Sequence, residues 1–232
     1  MVEKNAVAPQ ARPEATSGVS GNHRFQRRDY GGTGLRRSDL AGDPLMQFSA
    51  WLDAAIADRI ADPTAMALAT VGADRSPSVR IVLLKHFDAQ GLCWYTDYRS
   101  AKGAQLAENP LASVLFHWRE QDRQVRISGS VQRLSATESD AYFESRPLHS
   151  RYAAAASLQS APIADRQALE RAVRTLRLSR APEALTRPPE WGGYRLRPAE
   201  YEFWQGRPGR LHDRFRYRQD DAGHWGVARL QP

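Results

Sequence analysis

The stretch "RQVRISGSVQRL", residues 123–134, alternates with a period of two. Val125, Ile127, Gly129 and Val131 fall on one side; Gln124, Arg126, Ser128 and Ser130 fall on the other. Side chains of a β-strand point to opposite faces in turn, so the stretch predicts a strand with one face in a core. Upstream, "TAMALATV" (64–71), "SVRIVLLKHF" (78–87), "GLCWYTD" (91–97) and "ASVLFHW" (112–118) repeat this texture, each bounded by Gly, Asp or Pro. Downstream, "GGYRLRP", "EYEFWQG", "HDRFRYRQD" and "HWGVARLQ" read as further strands. Short loops between the early strands predict antiparallel pairing. Seven or eight strands with helices outside them predict a mainly β, α+β protein: a β-barrel with peripheral helices.

The helices announce themselves by stripes and caps. In "DPLMQFSAWLDAAIADRI", Leu45, Phe48, Trp51, Leu52, Ala55, Ile56 and Ile60 form one apolar stripe. "SAKGAQLAENP" starts at a Ser100 N-cap and stops before Pro110. "TESDAYFESRP" predicts a Thr137 cap with Asp140 three residues on, ending before Pro147. "ADRQALERAVRTLRL" carries Leu169, Val173 and Leu176 at helical spacing. Residues 1–23, rich in Ala, Pro, Ser and Gly, read as a flexible tail, and residues 24–232 as one domain.

The chain has 232 residues and a net charge of +7, which favours anionic partners. The single cysteine, Cys93, excludes an internal disulfide and fits a reducing, cytoplasmic setting. Its apolar surroundings make it a core residue and not a nucleophile. No apolar run reaches the roughly 18 residues that span a bilayer, so no membrane association is expected. Basic residues are interleaved with acids and form no aromatic-studded stripe, which argues against nucleic acid. The six histidines show no paired metal spacing, and no metal is expected. P-loop, Rossmann and nucleophile-elbow motifs are absent.

Four stretches carry candidate chemistry. In "RLHDRFRYR", residues 210–218, Arg210, His212 and Arg214 share one face if the stretch is a strand, either solvated or set against an anion. In "SVRIVLLK", Arg80 and Lys85 bracket four aliphatics, as solvated strand ends or with one cation in a pocket. "TDYRSAKGAQL" offers Ser100, Lys102 and free backbone amides to an anion, or is a solvent-exposed cap. "YFESRPLHS" spaces Tyr142, Arg146 and Ser150 by four, a phosphate-donor set or an arginine at a helix C-terminus.

Taken in order, "RRDYGGTGLRRSDL", "DPTAMALATV", "RIVLLKHFDAQGLCWYTD", "SAKGAQL", "RQVRISG", "YFESRP", "LQS", "WGGYRL", "EFWQG" and "RLHDR" resemble the pyridoxamine/pyridoxine 5′-phosphate oxidases over about residues 25–232. The resemblance implies a split β-barrel that binds FMN. It further implies a homodimer, joined through a C-terminal dimerisation region, with two flavins where the subunits meet. The implied reaction oxidises phosphorylated B6 vitamers to pyridoxal 5′-phosphate, with O2 as acceptor and H2O2 as product. By resemblance, Arg80, Ile81, Val82, Leu83, Leu84, Lys85, Tyr95, Thr96, Lys102, Gln124, Gln159, Ser160, Trp204 and Arg214 contact FMN. Lys85, Tyr142, Arg146 and Ser150 match the cradle of the substrate phosphate. Arg210, Leu211 and His212 match the substrate pocket, Arg210 and His212 as its catalytic pair, and Arg27, Arg28, Asp29 and Tyr30 a segment closing over it. Two positions depart from the pattern: Ala101 where many relatives have a basic residue, and Ala155 where the usual version has Trp. Two other readings stand beside this one: a sister flavin oxidase acting on another aromatic substrate, such as a phenazine precursor, and a non-catalytic FMN or pyridoxal-phosphate binder.

Overall fold

Alternation in the sequence becomes a ladder of nine antiparallel strands in a computed structural model that describes residues 28–232. The expected tail at 1–23, and Arg27, lie outside the described residues. In chain order the elements are α1 (Pro44–Ala57), β1 (Ala65–Val71), β2 (Pro77–Leu83), β3 (His86–Asp88), β4 (Gly91–Asp97), α2 (Ala101–Glu108) and β5 (Leu111–Trp118). There follow β6 (Arg123–Arg133), α3 (Ala136–Ser145), α4 (Leu148–Ala156), α5 (Arg166–Ser179), β7 (Trp191–Gln205), β8 (Asp213–Gln219) and β9 (Trp225–Leu230).

The strands pair in the order β2-β1-β5-β6-β7-β4-β3, with β8 also on β7 and β9 on β8. Strand β7 organises the rest. Along one edge it pairs with β6 over its length. Along the other it pairs first with β4, through Trp191–Leu196, and then with β8, through Glu200–Gln205. A register shift between Ser128 and Gly129 leaves Ala199 unpaired and bends the sheet between those two halves. Gly129 is required there, because a Cβ would sit 1.9 Å from the Arg197 carbonyl oxygen. Val125, Ile127 and Val131 face the core as the alternation predicts.

One apolar cluster draws Leu68, Trp94, Phe116, Ile127, Phe203 and Phe215 from six strands and Phe48, Trp51 and Leu52 from α1. The sheet therefore curls around a single core, and α1 closes it, Phe48 meeting Phe116 and Trp51 meeting Phe203. Ile56 is exposed and Gln47 is buried, so the stripe is slightly rotated from the expected one. Gln47 is tolerated because its Oε1 accepts from the Ala41 amide at 2.8 Å.

Three local expectations are corrected. The α3 cap is Ser135, not Thr137: its hydroxyl accepts from the Glu138 amide while Glu138 reaches back to the Ser135 amide, a complete capping box. Residues 148–156 form a helix of their own, α4. Strand β8 begins only at Asp213, because Gly209 and Arg210 both take left-handed backbone, with φ of 64° and 65°. Arg210, His212 and Arg214 therefore do not line one strand face. Among the described residues, no helix is long and apolar enough to cross a membrane, and no cluster of His, Cys, Asp or Glu could hold a metal ion. Cys93 is fully buried, and burial pushes its thiol pKa up.

Candidate functional site

The chain gathers its candidate residues in two places. The first is a groove of about 610 Å³ between β2, β4, the start of α2, the α3–α4 junction and Trp191. Arg80, Lys85, Lys102 and Arg146 line it together with Tyr95, Thr96, Tyr142, Ser150, Gln159 and Ser160, and no carboxylate does.

Each cation is set by local chemistry. Arg80 points inward from β2; its Nη1 donates to the Leu68 carbonyl at 3.2 Å and its Nη2 to Gln105 Oε1 at 3.1 Å. Lys85 reaches the same groove because β2 ends at Leu83, so strand parity no longer separates it from Arg80. At Ser100 the predicted cap forms, its hydroxyl accepting from the Gly103 amide, and this turn buries Lys102. Lys102 Nζ donates to Thr96 Oγ1 at 3.1 Å, Ser100 Oγ at 3.3 Å and Gln159 Oε1 at 3.0 Å, all neutral oxygens. Burial, and then the charge of Arg80, lowers its pKa. Arg146 lies just past α3, its guanidinium 4.6 Å from the Trp191 ring, with Nη1 buried and unpartnered. Burial lowers its pKa as well.

An aromatic shelf supports these groups. Tyr95 and Tyr142 stack at 3.7 Å between centroids, and Trp191 lies nearly parallel to both. Burial pushes Tyr95 up to about 12, so the phenol stays protonated at neutral pH. Such a set, desolvated cations beside hydroxyl and amide donors without a counter-ion, is complementary to a phosphate dianion. The orphaned Arg146 nitrogen and the neutral-only partners of Lys102 show that the groove fits groups of that charge.

The second place is the far half of β7. Trp204 pairs across the sheet with Gln124 on one side and Arg214 on the other. Arg214 Nε donates to Glu202 Oε1 at 2.9 Å. His212 packs 4.6 Å from Trp204, and its Nδ1 accepts from the Arg207 amide at 3.1 Å. That acceptor role leaves the neutral ring's proton on Nε2. Burial, and then Arg210, lowers the His212 pKa. Tyr30 stands edge-on to both Trp204 and His212, with the Arg210 guanidinium 5.6 Å from its ring.

These two places are far apart in one protomer. Tyr95 pairs with Gly193 and Gln124 with Trp204, and the eleven steps along β7 between those rungs follow a path of up to roughly 36 Å at strand rise. The predicted residues thus divide. Ile81, Val82 and Leu83 stay with the groove, while Arg28 and Asp29 stay with the distal half. Leu84 turns into the core, and Leu211 is exposed. Ala101 is exposed at the start of α2, and the nearby Arg99 is held by Asp97 at 2.7 Å. Four residues escaped the sequence reading: Gln105, which holds Arg80; Trp191, under Arg146; Glu202, on Arg214; and Asp122, on Arg28. The quoted stretches "SAKGAQL", "WGGYRL" and "EFWQG" contain three of them; for Asp122, the turn before β6 gave no signal.

Two family models match the chain in succession. A family model described as pyridoxamine 5′-phosphate oxidase matches residues 52–180, and one for the pyridoxine 5′-phosphate oxidase C-terminal dimerisation region matches residues 191–232. The pyridoxine/pyridoxamine 5′-phosphate oxidase of Herminiimonas arsenicoxydans is 50% identical over 206 residues, 89% of this chain and 97% of its own length. The crystal structure of PhzG from Burkholderia lata, in complex with tetrahydrophenazine-1-carboxylic acid, is 36% identical with a TM-score of 0.80, covering 87% of this chain and 99% of that one. An FMN-binding protein of Nostoc punctiforme, related to pyridoxamine 5′-phosphate oxidase, shares the fold at 19% identity and a TM-score of 0.67, over 83% of this chain and 100% of its own.

Proposed function

The chain belongs to the pyridoxine/pyridoxamine 5′-phosphate oxidase family, and from that membership we propose how its two groups of residues share one reaction. The protein is an FMN-dependent oxidase of pyridoxine or pyridoxamine 5′-phosphate, and it works as a homodimer. The observation that carries the assignment of residues is the groove's charge: four cations, no carboxylate.

Arg80 and Lys102, with Thr96, Gln159 and Ser160, hold the FMN phosphate. Ile81 to Leu83 and Tyr95 would lie along the remainder of the cofactor, and Leu84, turned into the core, packs behind them. Lys85, Tyr142, Arg146 and Ser150 hold the substrate phosphate. The distal cluster lies too far along β7 to serve the groove of its own protomer. In the homodimer, the Gln124, Trp204, Arg210, His212 and Arg214 of one protomer complete the groove of its partner. Val79, Ile81 and Leu83, outward-facing on the edge strand β2, are more than 40% exposed in the isolated chain, as an interface strand would be. Residues 28–232 act as one catalytic unit, and a cytoplasmic location suits its buried free thiol.

When bound, FMN supplies two-electron chemistry, taking electrons from the substrate's C4′ carbon and passing them to dioxygen to give hydrogen peroxide. The chain contributes position and charge. Holding each of the two molecules by its phosphate would remove orientational freedom from the reacting pair. Arg210 lies over the pyridine ring, a planar cation against a π face. His212 is neutral at pH 7 and presents Nε2–H to a ring substituent. The loss of ammonia from the amine substrate takes one water; the alcohol substrate needs none.

The PhzG likeness makes a phenazine-type substrate the competing reading, and the Lys85–Tyr142–Arg146–Ser150 cradle favours a phosphate ester over it. The test is peroxide release from FMN-loaded protein in air. Pyridoxine and pyridoxamine 5′-phosphates should both be oxidised, and the unphosphorylated alcohol should react poorly. Equal rates with and without the phosphate would overturn the cradle.

A further inference from the structure

We infer that Asp122 is a positioning residue, a latch that holds the arm at residues 28–35 over Arg210 and His212. The inference rests on the roles proposed above for those two residues. Asp122 sits in the turn between β5 and β6, with a left-handed backbone (φ 54°), and its side chain is 7% exposed. A buried carboxylate in that conformation needs partners.

Among the described residues, its carboxylate partners come from the arm. Oδ2 accepts from the Gly31 amide at 3.2 Å. Oδ1 lies 2.8 Å from Arg28 Nη2, an ion pair off the hydrogen-bonding direction. Arg28 Nη1 donates to the neighbouring Arg119 carbonyl at 2.9 Å. The main chain of Asp122 faces the other way: its carbonyl accepts from the Gly206 amide at 2.7 Å, at the end of β7. One residue thus ties the arm to the strand end that leads into Arg210.

Tyr30 lies between Arg28 and Gly31, the two arm residues that Asp122 holds, so fixing them fixes its ring. That ring packs on Trp204 and His212 and under the Arg210 guanidinium. The fit is close: a Cβ on Gly206 would come within 2.6 Å of Tyr30 and 2.9 Å of Asp122. Three further ties hold the arm downstream among the described residues: Arg207 Nη1 donates to the Gly32 carbonyl, Asp213 Oδ2 accepts from the Leu35 amide, and Arg229 Nη2 donates to the Leu35 carbonyl. None of them grips the Tyr30 end. Release of the Asp122 latch therefore loosens Tyr30, leaving the Arg28 bond to the Arg119 carbonyl and the downstream ties in place.

The experiment uses the FMN-loaded dimer and the variants Asp122→Asn and Arg28→Gln. Asparagine keeps the size and tolerates the left-handed backbone but loses the charge. Deuterium exchange over residues 28–35 should quicken in both variants. KM for pyridoxine 5′-phosphate should rise about tenfold, the scale of a lost charged hydrogen bond, with bound FMN and kcat little changed. The double variant should do less than the sum of the two singles, since both break the shared Arg28–Asp122 ion pair. Unchanged exchange, or faster exchange with an unchanged KM, overturns the inference. If Asp122→Asn does not fold, Arg28→Gln alone decides between these outcomes. Wild-type protein that docks its arm yet leaves the substrate unoxidised would sink the oxidase reading first, and the latch's role with it.

Discussion

The groove and the distal half of β7 use arginine and lysine in opposite ways. In the groove, Lys102 and Arg146 are desolvated and face neutral oxygens or aromatic rings. In the distal half, carboxylates meet the cations: Glu202 takes Arg126 and Arg214, Asp213 takes Arg207 and Arg229, and Asp122 takes Arg28. Arg210 has no carboxylate partner there among the described residues. Uncompensated charge waits for an anion; compensated charge holds shape. On the assignment proposed above, the groove takes the phosphates and the distal half aims a few side chains.

The largest test of that contrast is Arg210→Ala. The aim of the distal half is lost while both phosphate sites stay whole, so kcat should fall by about 10²-fold. FMN content, read from visible absorbance, should not change. Loss of FMN instead would place Arg210 on the wrong side of the comparison.

Lys102→Met should weaken FMN binding by about 1.5–3 kcal/mol, the scale of a charged hydrogen bond, in a titration of FMN-free protein. It should not lower the melting temperature of that FMN-free protein. The sign follows from burial: a lysine whose folded pKa is lowered pays for its charge at every pH below that value, and the penalty vanishes above the ordinary 10.5. FMN-free wild type should gain stability as pH rises through that window, and Lys102→Met should lose the gain.

Arg146→Ala should raise KM for the phosphorylated substrate by about tenfold, with a smaller change in kcat. An unchanged KM would remove Arg146 from the cradle.

The smallest effect is on pH. His212 is held below its ordinary 6.5 by burial and by Arg210, so it stays neutral to lower pH. The acid limb of kcat/KM should lie below 6.5, and in Arg210→Gln its midpoint should move up toward that value.

Elements with a strong local signal were legible in the sequence. The alternation at 123–134 is strand β6, and the Ser100 cap starts α2 where expected. What failed has physical causes. Ser135 and Thr137 are both capping hydroxyls, and Glu138 decides for Ser135 by reaching back to it. Helix α4 is alanine-rich and buries only Tyr152, so it shows no stripe. Arg210 looks like a strand residue until Gly209 beside it turns left-handed, a backbone choice that residue spacing does not encode. The groove was legible through resemblance and its cations, but its distance from Arg210 and His212 depends on β7 serving β4 and β8 in succession, which is long-range pairing. Asp122 acts through a single turn conformation, and an acid in a loop has no periodicity to betray it.

The most direct test of the shared site mixes two variants, Arg146→Glu in the groove and Arg210→Ala in the distal half. Each homodimer should be nearly inactive. In a hybrid dimer, one of the two sites combines the intact groove of one protomer with the intact distal cluster of its partner. Hybrids should therefore recover peroxide production at one of their two sites. Hybrids as inactive as both parents would show that each protomer builds its site alone, against the separation seen along β7.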